Sequence, residues 1–336
     1  MHHVGLDVHA RMISICILDA NGHVVKKLTY EGSWGQFPKW LRRHIKGRFA
    51  VVFEACCGYG WLFDELTRLG ANVRVAHPGQ LRLIFRAKRK TDRIDAEKLA
   101  KLLYLGMVPP VHVPSLDMRQ WRELIEYRHR LVGRRTRTKN ATRAVLRTYA
   151  IDAPKGLWTN RGRAWLRDVA VAGLTVALRR DQLLEELERL DAHIRRAEGE
   201  LDRIGEAHPG VALLRTIPGV GPRTAEAVVA YIDKPQRFAR NRAIGAYFGL
   251  VPREDSSGGK QRLGHITKDG PATVRKLLCE ASWQVVRRDA GMRAYFERIC
   301  RGKKDRRKIA ITATAHRLVR AMHAMLLTGE VWRGAA

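Results

Sequence analysis

Long apolar runs are missing from this chain. No stretch of about 18 consecutive apolar residues occurs, so no transmembrane helix is expected and a membrane is not the expected environment. The opening residues, MHHVGLDVHARM, lack a basic stretch followed by an apolar one, so no secretory signal is expected either. Cysteine is sparse. Cys16, Cys56, Cys57, Cys279 and Cys300 are odd in number and irregular in spacing, which argues against a disulfide framework or a zinc site and for free thiols in a reducing cytoplasm. The 13 histidines show no HExxH or comparable ligand spacing. Acidic residues are scarce as well: 33 Asp and Glu stand against 63 Lys and Arg, a net charge of +30. A compact domain so charged repels itself unless a polyanion neutralises it. Arginine dominates the basic set, and its planar fork suits phosphate. Nucleic acid is therefore the expected partner, with an anionic membrane surface the competing one.

What is present divides into three segments, 1–108, 109–210 and 211–336, with α/β followed by α character. In the first, apolar runs at 4–7, 12–18 and 23–30 read as three strands joined by tight turns, an antiparallel meander. Trp34, Phe37, Trp40 and Leu41 mark a helix over 33–45. The continuous apolar run 49–53 reads as a strand buried on both faces. A helix over 59–69 and a strand over 72–76 follow, then Thr91 as N-cap of a helix over 92–105. The order βββ-α-β-α-β-α is that of the ribonuclease H-like fold.

Pro109, Pro110 and Pro114 mark a boundary. Beyond it, 116–149 is helical and basic, with Arg119, Arg122, Arg128, Arg130, Arg134, Arg135, Arg137, Lys139, Arg143 and Arg147. Charge of nearly one sign favours contact with a nucleic-acid backbone over a merely solvated face. Leu183, Leu187, Leu190, Ile194, Ala197, Leu201 and Ile204 then form a heptad seam. A hairpin packed within one chain and a coiled coil joining subunits both account for it, and either makes 109–210 a helical spacer. The last segment is expected to be mostly helical, with a glycine-rich stretch at 245–270.

Two constellations carry chemistry. The first is Asp7, Glu54, Asp92 and Asp95. Asp7 interrupts one strand and Glu54 ends another, while Asp92 and Asp95 share a helix face at i and i+3. In the inferred strand order the first and fourth strands lie side by side, so the acids converge. Converging carboxylates repel unless cations neutralise them, and hard ions such as Mg²⁺ prefer such an oxygen shell. Two ions about 4 Å apart can clamp the attacking and leaving oxygens of a phosphodiester. The second lies in the last segment. Residues 217–222, Ile-Pro-Gly-Val-Gly-Pro, precede a helix over 223–232 and resemble a helix-hairpin-helix turn, in which Gly219 and Gly221 would let backbone N–H groups meet a phosphate. An ordinary helix–helix turn has the same composition. Ser256-Ser257-Gly258-Gly259-Lys260 follows, with Arg262, His265, Lys268 and Arg275 beyond. A serine hydroxyl there can attack a phosphate beside cations that stabilise the developing charge, but the same run is also an ordinary polar linker. The basic cluster at 301–308 is a further candidate phosphate contact, while Cys279, Trp283 and Tyr295 fit a helical core.

GLDVH at 5–9, FEACCGYG at 53–60 and KTDRIDAEKLA at 90–100 resemble the N-terminal motifs of the insertion-sequence-110 family of transposases, also known as bridge-RNA-guided DNA recombinases. The resemblance runs from end to end. It implies a RuvC-like first domain whose D-E-D-D set falls on Asp7, Glu54, Asp92 and Asp95, binding Mg²⁺, with Mn²⁺ able to substitute. The stretch 249–278 resembles the family's C-terminal motif, in which the serine before a glycine is the nucleophile; that residue is Ser257, with Ser256 beside it. The resemblance further implies a phosphoserine–DNA intermediate, double-stranded DNA at the element ends and target, a structured guide RNA, and dimers that assemble to a tetramer with the two domains of different subunits completing each active site. A prokaryotic, nucleoid-associated protein is expected. Two rivals remain open at this level: a structure-specific nuclease without a covalent intermediate, and a non-catalytic nucleic-acid-binding protein.

Overall fold

The computed structural model describes residues 1–84 and 91–334. Lys90, which begins the third motif, lies outside the described residues. The chain folds as two compact units, Met1–Arg119 and Gln120–Ala336. The expected segment 109–210 is thereby shared between them. No described helix is long and apolar enough to cross a membrane.

The first unit is a five-stranded sheet with helices on both faces. Its strands are β1 (His2–Val8), β2 (Met12–Leu18), β3 (Val24–Glu31), β4 (Phe49–Glu54) and β5 (Asn72–Ala76), in the order β3-β2-β1-β4-β5. The pairs β1–β2 and β2–β3 are antiparallel, and β1–β4 and β4–β5 are parallel. The first and fourth strands are thus neighbours, as the inferred strand order had them. β1 runs longer than the sequence suggested because it pairs on both sides, and the ladder carries His2 and His3 into the sheet.

Strand side chains alternate between faces. Val4, Leu6, Ile13, Ile15, Ile17, Phe49, Val51 and Phe53 fill one side and bury Phe37 and Leu41 of α1 (Phe37–His44) and Leu62 and Leu66 of α2 (Tyr59–Arg68). Each such side chain contributes about 1.5–3 kcal/mol on burial. Cys16, Leu18, Val52 and Ala76 face the opposite side. A short helix that the sequence did not announce, α3 (Pro78–Ile84), precedes α4 (Asp92–Tyr104) there, so the expected order gains one helix. Ala96 and Ala100 of α4 lie against Cys16 and Leu18, and Leu99 and Leu102 against Val52 and Ala76. Residues 109–119 belong to this unit. The Val111 N–H donates to the Val75 carbonyl at 2.8 Å, and Val111 and Val113 pack on the sheet core.

The second unit is mainly helical: α5 (Leu116–Thr148, from Gln120 onward), α6 (Asn160–Asp168), α7 (Leu174–Glu206), α8 (Pro209–Arg215), α9 (Pro222–Ile232), α10 (Asn241–Tyr247), a hairpin of β6 (Pro252–Glu254) and β7 (Leu263–Ile266), α11 (Ala272–Arg288), α12 (Ala290–Cys300) and α13 (Arg307–Thr328). The heptad seam lies inside it. Leu187, Leu190, Ile194, Ala197 and Leu201 are buried, and Leu190 and Ile194 pack with Leu131 of α5. Of the two readings of the seam, the packing is that of helices within one chain.

Candidate functional site

Gly5 decides how the acids meet. It lies on the α4-facing side of β1, two residues before Asp7. A Cβ there would stand 2.1 Å from the Ala96 carbonyl oxygen and 2.4 Å from the Ala100 nitrogen. Its absence lets the α4 backbone lie directly on the strand. Thr91 starts that helix by accepting the Ile94 N–H at 3.3 Å, which places Asp92 and Asp95 in the first turn. There the positive helix end favours carboxylates. β1 pairs with β4 up to Leu6 opposite Phe53, so Asp7 and Glu54 occupy the next step of adjacent strands, on the same face.

Asp7, Glu54, Asp92 and Asp95 all line one cleft of about 380 Å³, together with His9, Cys56, Arg82 and Lys98. Burial pushes the Asp7 carboxyl above its ordinary range. His9 pulls the other way, and the charges of Asp92 and Asp95 add to the rise. Lys98 reaches Asp95 at 3.2 Å. His9 Nε2 stands 3.3 Å from Asp7 Oδ2 and 3.6 Å from Asp92 Oδ1. One donor atom from each of Asp7, His9 and Asp92 lies within 4.8 Å of the others. Four acids, with Arg82, Lys98 and His9 as the basic side chains lining the cleft among the described residues, fit a divalent ion. His9 and Lys98 are the site residues that sequence reasoning missed. The signal for His9 was its place two residues after Asp7, which puts both on one side of an extended chain.

The serines lie in the second unit, on the β6–β7 hairpin. The Lys260 N–H donates to the Ser257 carbonyl at 3.1 Å, and Gly258 and Gly259 between them have φ of 57° and 75°. Two successive positive φ values make a type I′ turn, the kind that matches strand twist and that glycine adopts without strain. The run that also reads as an ordinary polar linker is therefore a defined hairpin tip. Ser256 and Ser257 are distinguishable there. Ser256 Oγ donates to Glu254 Oε1 at 2.8 Å and accepts the Arg262 N–H at 3.1 Å. Ser257 is exposed, and its hydroxyl has no hydrogen-bond partner among the described residues.

The basic residues sort into two groups. Arg119 pairs with Asp64 and donates to the Pro114 carbonyl. Arg122 donates to the Ala230 and Tyr231 carbonyls in the last turn of α9, which have no partner further along the helix. Arg135 pairs with Asp191, Arg134 reaches Glu186 at 3.8 Å, and Arg275 donates to the Phe248 and Asp269 carbonyls. Lys139 lies over the Trp158 ring, and burial lowers its pKa. Apart from Arg134, which is largely exposed, these side chains hold the fold. Arg130, Arg137, Lys260, Arg262 and Lys268 face solvent. The glycines of the Gly-Val-Gly turn also differ. A Cβ on Gly219 would meet the α11 backbone 2.8 Å away, so that glycine serves close packing, while Gly221 is open.

Comparison with known proteins covers both units. A DEDD-type transposase model of the insertion-sequence-110 group matches residues 4–151, and "Transposase IS116/IS110/IS902 family" matches residues 211–297. A Pseudomonas aeruginosa protein described as "Probable family 20 transposase" is 29% identical over 98% of each chain. The "Transposase for insertion sequence element IS1111A" of Coxiella burnetii is 28% identical over 84% of this chain and 78% of its own. The "Transposase for insertion sequence element IS1328" of Yersinia enterocolitica is 27% identical over 69% of each.

Proposed function

Because the chain belongs to the IS116/IS110/IS902 family of transposases and acts on DNA, we propose that it cuts and rejoins the strands of its insertion sequence with two groups, a carboxylate-bound divalent metal centre and the Ser257 hydroxyl. The single observation that carries the reading is the convergence of Asp7, Glu54, Asp92 and Asp95, drawn from three separate stretches of sequence, into one cleft. The DEDD type of the matched model implies divalent-metal use. Mg²⁺, as two ions, is the assignment that an oxygen-rich set favours. The first unit is read as RNase H-like, of the RuvC kind; its strand order and the acids at the ends of β1 and β4 and the start of α4 support this.

Bound ions supply positive charge to the oxygens around the scissile phosphorus. The chain's own part is to hold those ions and to present a nucleophile. Ser257 Oγ forms a bond to phosphorus as the bond from phosphorus to the departing sugar oxygen breaks. The serine proton leaves and the departing oxygen takes one up. Attack by a sugar hydroxyl on the phosphoserine reverses these steps and rejoins a strand. The exposed hydroxyl of Ser257, set beside the engaged Ser256, supports the assignment. Lys260, Arg262 and Lys268 nearby are exposed cations suited to backbone phosphates. A net charge of +30 without a base-reading motif fits selection of sites by pairing with an element-encoded structured RNA. Assembly into dimers and a tetramer is part of the same reading.

Nicked or junction DNA carrying the element ends is the substrate for the test. The wild type should form a protein–DNA adduct that survives denaturation. Ser257→Ala should form none, while Asp7→Asn and Asp92→Asn should lose strand exchange at any Mg²⁺ concentration. Strand cleavage retained by Ser257→Ala, with no adduct in either form, would make the protein a plain metal nuclease. Sequencing of RNA that copurifies with the protein tests guidance, for which one defined species is expected.

A further inference from the structure

We infer that His9 is a ligand of the metal centre and sets its selectivity toward Mn²⁺ over Mg²⁺. The inference rests on the reading of the acid cleft as a divalent-cation site. Asp7 lies one step past the last β1–β4 pair while still paired with Ser14 of β2, and His9 follows two residues later, just beyond the end of β1 at Val8. Its backbone is held there by the bond from the His9 N–H to the Met12 carbonyl at 2.9 Å across the β1–β2 turn. Its imidazole lines the same cleft as the four acids.

The spacing is that of a coordination shell. Adjacent ligands of an octahedral ion at about 2.1 Å stand about 3 Å apart, and opposite ligands about 4.2 Å. Nε2 lies 3.3 Å from Asp7 Oδ2 and 3.6 Å from Asp92 Oδ1, and all three donor atoms fall within 4.8 Å. An ion seated among them meets two oxygens and one nitrogen. Asp95 is turned partly to Lys98, which leaves Asp7 and Asp92 as the acids nearest His9. Mg²⁺ demands oxygen ligands and sheds water reluctantly, whereas a divalent transition ion accepts an imidazole nitrogen more readily; Mn²⁺ binds imidazole the most weakly of that series, but it shares the preference of Mg²⁺ for carboxylates and tolerates a nitrogen beside them better than Mg²⁺ does. A nitrogen in the shell therefore favours Mn²⁺ at a site whose acids alone would favour Mg²⁺.

The test reads binding. Mn²⁺ is titrated into the full chain without nucleic acid and followed by electron paramagnetic resonance. Mg²⁺ is then added to measure the concentration that displaces half of the Mn²⁺. Electron-spin-echo modulation reports whether an imidazole nitrogen is bonded to the ion. The wild type should show the ¹⁴N signal. His9→Gln should lose it, with Mn²⁺ affinity falling about 10-fold or more while Mg²⁺ affinity changes little. His9→Asp, which makes the set all-oxygen, should move the preference toward Mg²⁺. Mn²⁺ that binds in an Asp7-dependent way but without a ¹⁴N signal, and with an unchanged Mn²⁺/Mg²⁺ ratio in His9→Gln, would overturn the role of His9 and leave the acid site standing. Tighter binding of both ions by His9→Gln would also overturn it, since His9 would then be a competing cation. Mn²⁺ binding indifferent to Asp7→Asn would remove the acid site itself.

Discussion

Replacing Gly5 by alanine tests the geometry of the acid cleft without touching a carboxylate. The added Cβ would lie 2.1 Å from the Ala96 oxygen and 2.4 Å from the Ala100 nitrogen. Ordinary contact needs roughly 3.4 Å or more, so α4 must retreat from β1 by about 1 Å. Both clashing atoms are backbone, and no side-chain change on α4 can relieve them. Overpacking of this kind costs about 1–3 kcal/mol. Functionally the effect is larger. Asp92 and Asp95 sit within one turn of Ala96 and move with the helix, and a displacement of about 1 Å costs about 100-fold where reacting groups must align. Gly5→Ala should keep the circular dichroism of a folded chain, melt several degrees lower, lose most of its divalent-ion affinity and cut strand exchange about 100-fold. A variant with wild-type melting and wild-type ion affinity would refute the idea that the α4 backbone approach builds the site.

Other perturbations probe the second unit. Glu226 is almost wholly buried, and burial pushes its carboxyl up to about 7, against the pull of Arg223 at 3.2 Å. An acid raised in the folded state stabilises fully below its unfolded pKa and loses that contribution as pH rises, so denaturant melts should show stability falling by about 3 kcal/mol between roughly pH 4.5 and 7. Glu226→Gln should flatten that slope. Gly259→Ala puts a side chain at φ 75° in the type I′ turn; the strain of about 1–2 kcal/mol should lower the yield of serine adduct with the global melting point nearly unchanged. Leu190→Ala removes a side chain 2% exposed and should cost about 2–5 kcal/mol, independent of protein concentration, since the seam is internal. Arg119→Ala should destabilise the first unit through the loss of its pairing with Asp64, whereas Arg130→Ala and Arg137→Ala should leave melting unchanged and weaken DNA or RNA binding in a salt-dependent way.

Much of the acid site was legible. Asp7 and Glu54 stood out because charge interrupts or ends apolar strands, and Thr91 announced α4 through local capping chemistry, which three or four residues suffice to encode. The order of strands and helices followed from local periodicity in the same way, apart from α3, a short helix with little periodicity to display. Arg119, Arg122, Arg135 and Arg275 were less legible. In sequence they are indistinguishable from Arg130 and Arg137, yet they meet Asp64, the α9 carbonyls, Asp191 and the Phe248 carbonyl, up to 109 residues away. Gly5 and Gly219 were opaque for the same cause: the need for a missing Cβ is written in the neighbouring helix.

By itself the sequence determined the excess of positive charge, the βββ-α-β core order, the acids at strand and helix ends, and a Ser-Gly-Gly run. Each is a property of composition or of residues within a few positions of one another. The tertiary structure alone decided that α4 rests on Gly5 and carries Asp92 within reach of His9, that the α7 seam is filled from within its own unit, and that Ser256 is engaged while Ser257 is open. These depend on which distant surfaces exclude water together, and no local pattern specifies that.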